Sequence, residues 1–364
     1  MRIRGWKQAI AVTAALALAL GACGGDDDDD DGADGGGSET TAPGGDGGDG
    51  GDASDMTFGL VYDVGGRGDQ SFNDAAARGF DQAQEEFGYD TEELEPSAGG
   101  ENREELLRLL AEQQTDLVFA IGFAFADGVT AAAPDFPDVN FAIVDSVVEA
   151  DNVASLVFAE EQGSFLVCAA AALTSQTGKI GFIGGVEVDL IKKFEAGCRA
   201  GAEQVNPDIE IEVQYLSPAG DFSGFNDPAK AREVATAMYE GGADVIYHAA
   251  GGSGGGLFEA AAATGRQGEV WAIGVDSDQY LTADATVQPY ILTSMLKRVD
   301  VAVYETAKAM AEGNFAGGVQ TFDLSRDGVG YSTSGDFLGD DVISQLEDLK
   351  QQIIDGEIEV PTTV

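Results

Sequence analysis

Few side chains in this sequence are equipped for covalent chemistry. His248 is the only histidine, so multi-histidine metal sites are excluded and a serine or cysteine triad has one possible base. None of the three cysteines has a CxxC partner, which leaves no redox motif. Asp63, Asp69 and Asp74 are loosely spaced for a metal cluster, and the acidic run 26–31 lacks the spacing of a calcium loop. The glycines 251–256 invite a dinucleotide reading, but from Gly252 the sixth position is Leu257, so GxGxxG is not met. Close approach of a ligand to the Gly252 backbone, at a helix N-terminus, suits them better. His248, at a strand end, reads as structural.

Other residues at the ends of predicted strands suit binding. Phe72 follows a polar loop and precedes a helix, as a stacking face or as a hydrophobic staple. Asn73 is either the N-cap or a reader of a ligand edge. Asp63, just past the first strand, is a cleft residue or a loop organiser. Asp145 closes a strand in Val-Asp-Ser, where a carboxylate accepts hydrogen bonds from a ligand or caps a turn. Phe194, and Phe222 or Phe225, offer a second stacking face or pack in the core.

These residues need elements to hold them. Apolar runs predict strands over 57–62, 117–121, 140–144, 179–183, 209–215, 244–248, 270–275 and 291–295. Helical spacing predicts helices over 73–87, 101–113, 127–133, 163–174, 190–205, 227–240, 256–264 and 299–312. Asp227 is the expected N-cap of the 227–240 helix, with Pro228 at its first position. Near-continuous apolar strands alternating with helices predict parallel sheets covered on both faces, an α/β fold in two units. No repeat of 20–50 residues is visible. In such sheets ligands bind at the carboxyl ends of the strands, where the polar and glycine-rich segments fall. Their spread along the whole chain suits one site assembled between two lobes.

Of the 364 residues 44% are apolar, ample for a core. The formal charge is −46, a field that repels phosphate backbones, so no nucleic-acid partner is expected. Arg2, Arg4 and Lys7 precede an apolar run over 9–20, too short to span a membrane. The run ends in Leu20-Gly21-Ala22-Cys23, which resembles a bacterial lipobox, with an ordinary signal peptide and an incidental Cys23 as the alternative. Residues 24–55 hold twelve acids, twelve glycines and no base, a composition that cannot bury a core and reads as a self-repelling tether. The rest, 56–364, carries 53 acids against 16 bases, or −37, which fits solubility in an ion-rich setting. Outside the cytoplasm Cys168 and Cys198 form a disulfide or remain two buried thiols.

The segments then become recognisable. Val61-Tyr62-Asp63-Val64-Gly65-Gly66 with Ser71-Phe72-Asn73, and Phe141-Ala142-Ile143-Val144-Asp145-Ser146, open the series. Gly178-Lys179-Ile180-Gly181-Phe182-Ile183-Gly184-Gly185 with Phe194-Glu195-Ala196-Gly197 follows, then Ala243-Asp244-Val245-Ile246-Tyr247-His248 leading to Gly251-Gly252. Ile273-Gly274-Val275-Asp276-Ser277-Asp278-Gln279 and Ser294-Met295-Leu296-Lys297-Arg298-Val299-Asp300 complete it. Collinear over most of 57–330, these stretches resemble the basic membrane protein family of bacterial substrate-binding lipoproteins, above all the purine-nucleoside-binding proteins of ABC importers. Two features depart from that family: the longer segment 217–225, and the strong acidity.

The resemblance implies a type I periplasmic binding protein fold, two doubly wound α/β lobes joined by three crossovers with a ligand cleft between them. The crossovers are expected near 158–162, near Asp276 and near 317–322. That divides the chain into a signal peptide (1–22), a lipidated Cys23 with its tether (23–55), an N-terminal lobe (56–160 and 277–318) and a C-terminal lobe (161–276 and 319–364). It implies a lipid-anchored, extracytoplasmic monomer that hands a purine nucleoside to an ABC permease, with no enzymatic chemistry, cofactor or metal. Asp63, Phe72, Asn73, Asp145, Phe194, Phe225 and Gly252 become the expected ligand contacts. Asp276 and Lys297 match the pair that holds the ribose hydroxyls in that family; a structural ion pair is the alternative for Lys297. Rival readings are the same fold with another small polar ligand, such as a sugar or signalling molecule, and a nucleoside-acting α/β enzyme.

Overall fold

The computed structural model describes residues 53–97 and 99–364. The expected signal segment, Cys23 and nearly all of the tether lie outside the described residues. Two six-stranded sheets account for the strands among the described residues.

The first lobe alternates β1 (Thr57–Val61), α1 (Phe72–Phe87), β2 (Asp90–Leu94), α2 (Arg103–Glu112), β3 (Leu117–Ala120), α3 (Ala126–Ala132), β4 (Asn140–Val144) and β5 (Val153–Phe158). The chain then enters the second lobe through α4 (Glu160–Thr174), β6 (Lys179–Val186), α5 (Asp189–Val205), β7 (Glu210–Ser217), α6 (Pro228–Glu240), β8 (Val245–Ala249), α7 (Gly254–Ala263), β9 (Trp271–Asp276), α8 (Gln279–Thr282) and β10 (Ile291–Lys297). It returns for α9 (Val299–Ala311) and β11 (Gly318–Phe322), and ends in the second lobe with β12 (Val329–Tyr331) and α10 (Asp340–Ile354).

The sheet orders are β11-β5-β4-β3-β1-β2 and β12-β10-β9-β8-β6-β7. In strand order the second repeats the first, so apart from the direction of the last strand the lobes are topological duplicates over a span far longer than a short repeat. Every pairing between these strands is parallel except β12 against β10. Central strands such as β3 and β8 are buried along their whole length, as a sheet covered on both faces requires.

The second crossover departs from expectation. The sequence places it near Asp276, which would send 277–318 to the first lobe. Instead β10 stays beside β9 in the second sheet, and the chain crosses only after Lys297. The apolar run Ile291–Met295 has a neighbour to pair with there and would be unsatisfied as a linker. The third crossover also comes later than the expected boundary at 318, because β11 pairs with β5 in the first sheet over its full length.

Helices α4 and α5 pack side by side under the second sheet. Cys168 of α4 and Cys198 of α5, both fully buried, are joined in a disulfide that closes a loop with a sequence separation of 30. Cross-linking such a loop restricts the unfolded chain. Replacing both cysteines by alanine is expected to cost about 2–4 kcal/mol of unfolding free energy. Urea unfolding checks this; a midpoint unmoved in the variant, and in the wild type under reductant, counts against a stabilising bond.

Candidate ligand-binding site

One cavity between the lobes is lined by strand ends from both. Its lining includes Asp63, Phe72, Asn73, Asp145, Phe194, Phe225, Gly252, Asp276 and Lys297, so the nine residues singled out in the sequence come together. The space free of atoms is about 570 Å³, part of it open to solvent. Phe222 is absent from the lining; Phe225 is the member of that turn that faces the cavity.

Lys297, the last residue of β10, is 2% exposed and sits at the centre. Its Nζ donates to Asp145 Oδ2 at 2.6 Å, across the lobes, and lies 3.6 Å from Glu160 Oε1 at the start of α4. Three rings surround the same ammonium: Phe72 at 5.0 Å, Phe158 at 5.1 Å and Phe194 at 5.7 Å from their centroids. Burial lowers the affinity of Lys297 for its proton, but Asp145, Glu160 and Asp276 together outweigh it and hold the group above the ordinary lysine range. Lys297 is therefore charged; it is an ion-pair member, and it also lines the cavity.

Asp145 and Asp276 stand at equivalent places, after β4 and at the end of β9, each within Val-Asp-Ser. Both backbones are left-handed, with φ of 68° and 63°, a conformation that aspartate tolerates better than most residues. Asp276 Oδ2 accepts from Ser71 Oγ at 2.7 Å, again across the lobes. Asp145 Oδ1 is buried without any hydrogen-bond partner. A carboxylate oxygen left bare in a protein interior is costly unless a ligand supplies a donor.

Asp69 explains the loop before α1. Its two oxygens accept from the backbone N–H groups of Ser71 (2.9 Å), Asn73 (2.9 Å) and Asp74 (3.1 Å), so it caps the helix where Asn73 was a candidate. Asn73 instead ties the start of α1 to both ends of the loop that follows β1: its Oδ1 accepts from Asp63 N–H at 2.9 Å and its Nδ2 donates to Asp69 at 3.1 Å. Asp63 is ion-paired with Arg103 at 3.0 Å. Gly122, at φ +115°, must be glycine here, since a Cβ would stand 2.4 Å from Asp63 Oδ2. Phe225 lies against Gly185 in the same way: a Cβ at Gly185 would meet its ring at 2.5 Å. His248 is buried, bonds Gln279 Oε1 through Nε2 at 3.1 Å, and is pushed down to about 4 by burial, so it is neutral and structural. Sequence reasoning missed Asp69, Phe123 and Leu190 in the lining; of these, only Asp69 carried a signal, an acid two to five residues ahead of the N–H groups it caps.

The sequence and the fold both match known proteins. Residues 57–364 match the family described as ABC transporter substrate-binding protein PnrA-like. The chain belongs to this family. It is 39% identical over 321 residues to the CD4+ T-cell-stimulating antigen of Listeria monocytogenes, covering 84% of this chain and 88% of that one. It is 38% identical over 331 residues to the ABC transporter nucleoside-binding protein BmpA of Lactococcus lactis, covering 85% and 90%. A crystal structure of an ABC transporter solute-binding protein from Aeropyrum pernix superposes with a TM-score of 0.75 at 30% identity, covering 84% of this chain and 94% of that one. Members of this PnrA-like family bind solutes and are not enzymes.

The cavity carboxylates make stability depend on pH. Burial pushes Asp145 up to about 7, against the pull of Lys297, and Asp69 up to about 6, against its backbone hydrogen bonds. Both values lie above the unfolded-chain value of about 4. The folded protein therefore keeps protons that the unfolded chain has released. The stability this adds is complete below about pH 4 and is lost as pH rises through about 6 and about 7. From pH 5 to 8 the unfolding free energy of the wild type is expected to drop by about 2 kcal/mol more than that of Asp145→Asn. Parallel slopes in urea unfolding would show that Asp145 is ionised throughout.

Proposed function

We propose that this protein captures purine nucleosides in the interlobe cavity and delivers them to an ABC permease, as an extracytoplasmic monomer anchored by lipid at Cys23. The observation that carries the ligand is the bare, buried Oδ1 of Asp145 beside aromatic rings from both lobes. A purine base has ring N–H or exocyclic amine donors for that oxygen and two faces for Phe72, Phe194 and Phe225. The sugar hydroxyls fit the Asp276–Lys297 side, where one carboxylate accepts and one ammonium donates. The nucleoside-binding name of the Lactococcus lactis relative supports the same ligand class. A disulfide between Cys168 and Cys198 suits an oxidising compartment.

Charge favours the nucleoside over its phosphate esters. The lining holds four carboxylates, Asp63, Asp69, Asp145 and Asp276, against Lys297 alone. A phosphate would enter a field of its own sign, and the charge of Lys297 is already balanced by Asp145, although its ammonium keeps donor hydrogens for a hydroxyl. Ligand touching both lobes favours the closed arrangement through contacts that the open one lacks.

Calorimetry with inosine, guanosine and adenosine is expected to show saturable binding at micromolar concentrations or below, with the 5′-monophosphates at least about tenfold weaker. Asp276→Ala is expected to weaken the nucleosides by about 2–4 kcal/mol. Absence of saturable nucleoside binding overturns the ligand; unchanged affinity in Asp276→Ala removes that residue from the site.

A further inference from the structure

Arg103 lies outside the cavity lining, and its surroundings are unusual for an arginine. It opens α2 in the first lobe, with a side chain only 9% exposed. Nη2 donates to Asp63 Oδ1 at 3.0 Å and Nη1 to Gly100 O at 3.1 Å, while Nε is buried with no partner. One ring neighbour is its own lobe's Phe125, 5.5 Å from the guanidinium carbon; the other is Phe222 of the second lobe, at 4.9 Å. Phe222 also meets Phe123 of the first lobe at 5.9 Å between centroids.

Phe222 belongs to the 3-10 turn Phe222–Phe225 that follows β7. Asp221 caps that turn by accepting from Ser223 N–H at 3.0 Å, and Ser217 Oγ holds the Asp221 carbonyl at 2.5 Å. The turn thus presents two rings at two depths. Phe225 lines the cavity, and Phe222, outside the lining, packs on Phe123, which lines it. Because α2 and the turn sit on different lobes, the Arg103–Phe222 contact exists only while the lobes are together.

We propose that Arg103 and Phe222 form a clasp over the mouth of the cavity, which closes behind a bound ligand and sets its rate of release. The proposal rests on the reading of the cavity as a ligand site. Asp63 links the two: it faces the cavity and holds Arg103, so a ligand that bonds Asp63 also steadies the guanidinium plane against Phe222. A lysine at 103 keeps the charge beside Asp63 but has no plane to lay on the ring.

Stopped-flow kinetics with inosine test the clasp. Phe222→Leu and Arg103→Lys are each expected to raise the dissociation rate about fivefold to tenfold, with association changed by less than about twofold. The double variant is expected to release no faster than the faster single variant, since either change opens the clasp. Unchanged release in Phe222→Leu, or effects that multiply in the double variant, overturn the clasp while the nucleoside reading stands. Should the wild type bind no nucleoside, that reading falls and the clasp is judged without ligand. Spin labels at Glu112→Cys and Glu240→Cys, exposed positions on opposite lobes, report the separation. Longer distances in Phe222→Leu than in the parent support the clasp, and identical distributions overturn it.

Discussion

Lys297 is a charge that the second lobe carries into its boundary with the first, and its burial constrains much of the molecule. An ammonium removed from water costs several kcal/mol unless its partners are close and well oriented. One partner, Asp145, comes from the end of a first-lobe strand; the other, Glu160, comes from the point where the chain first crosses between lobes. Glu160 is itself almost fully buried, and it is answered by Lys193 of α5 at 2.5 Å. Lys193 also donates to the carbonyl of Phe158, the last residue of β5. A continuous run of alternating charge therefore passes from the cavity through the hinge to a partly exposed lysine. Each member is tolerable only because the next is in place. Removing one end would leave an uncompensated charge in the interior, a larger penalty than the pair itself is worth.

The duplicated sheets show how such a site arises without special loops. The same Val-Asp-Ser turn closes the same strand in each lobe, and both aspartates take up the left-handed backbone that aims a side chain across the cleft. Their partners differ. Asp145 is met by Lys297, whereas Asp276 is met by the hydroxyl of Ser71. One duplicated motif thus yields an ionic contact and a neutral one, and the cavity gains two chemically distinct ends. A ligand that is apolar on its faces and polar at two edges fits that asymmetry better than a symmetrical one does.

Much of this was legible in the sequence, and what was not has physical causes. The buried strands announced themselves as apolar runs, because a sheet covered on both faces leaves no polar side. The edge strands β2 (DTEEL) and β11 (GVQTF) did not: one side is open to water, and their residues are mostly exposed or half-buried. Their pairing is decided by a neighbour remote in sequence, which local pattern does not reveal. For the same reason the second crossover was misplaced at Asp276; the switch between lobes depends on whether β10 finds β9, not on any residue at the turn. Site residues at strand ends were readable because topology alone sends those ends to the cleft. Which ring of the 217–225 segment faces inward was not, because Phe222 and Phe225 occupy the same turn and differ only in how it is capped.

The strong acidity of the chain has little to do with the choice of ligand. Surface charges act through water and salt, and their fields fade over roughly 10 Å. Within the cavity the dielectric is low, and the identity of a few atoms outweighs the sum. Asp63 is spent on Arg103, Asp69 on backbone amides, and one oxygen of Asp276 on Ser71. Asp145 has one oxygen bound by Lys297 and the other bare. Selection therefore falls to the groups that remain unpaired when the lobes meet. A cation would find most of the carboxylate oxygens already holding hydrogen bonds, and a phosphate would find no free cation. A neutral molecule with hydrogen-bond donors at its edge and flat apolar faces meets neither obstacle, and the ligand proposed for this acidic chain is of that kind.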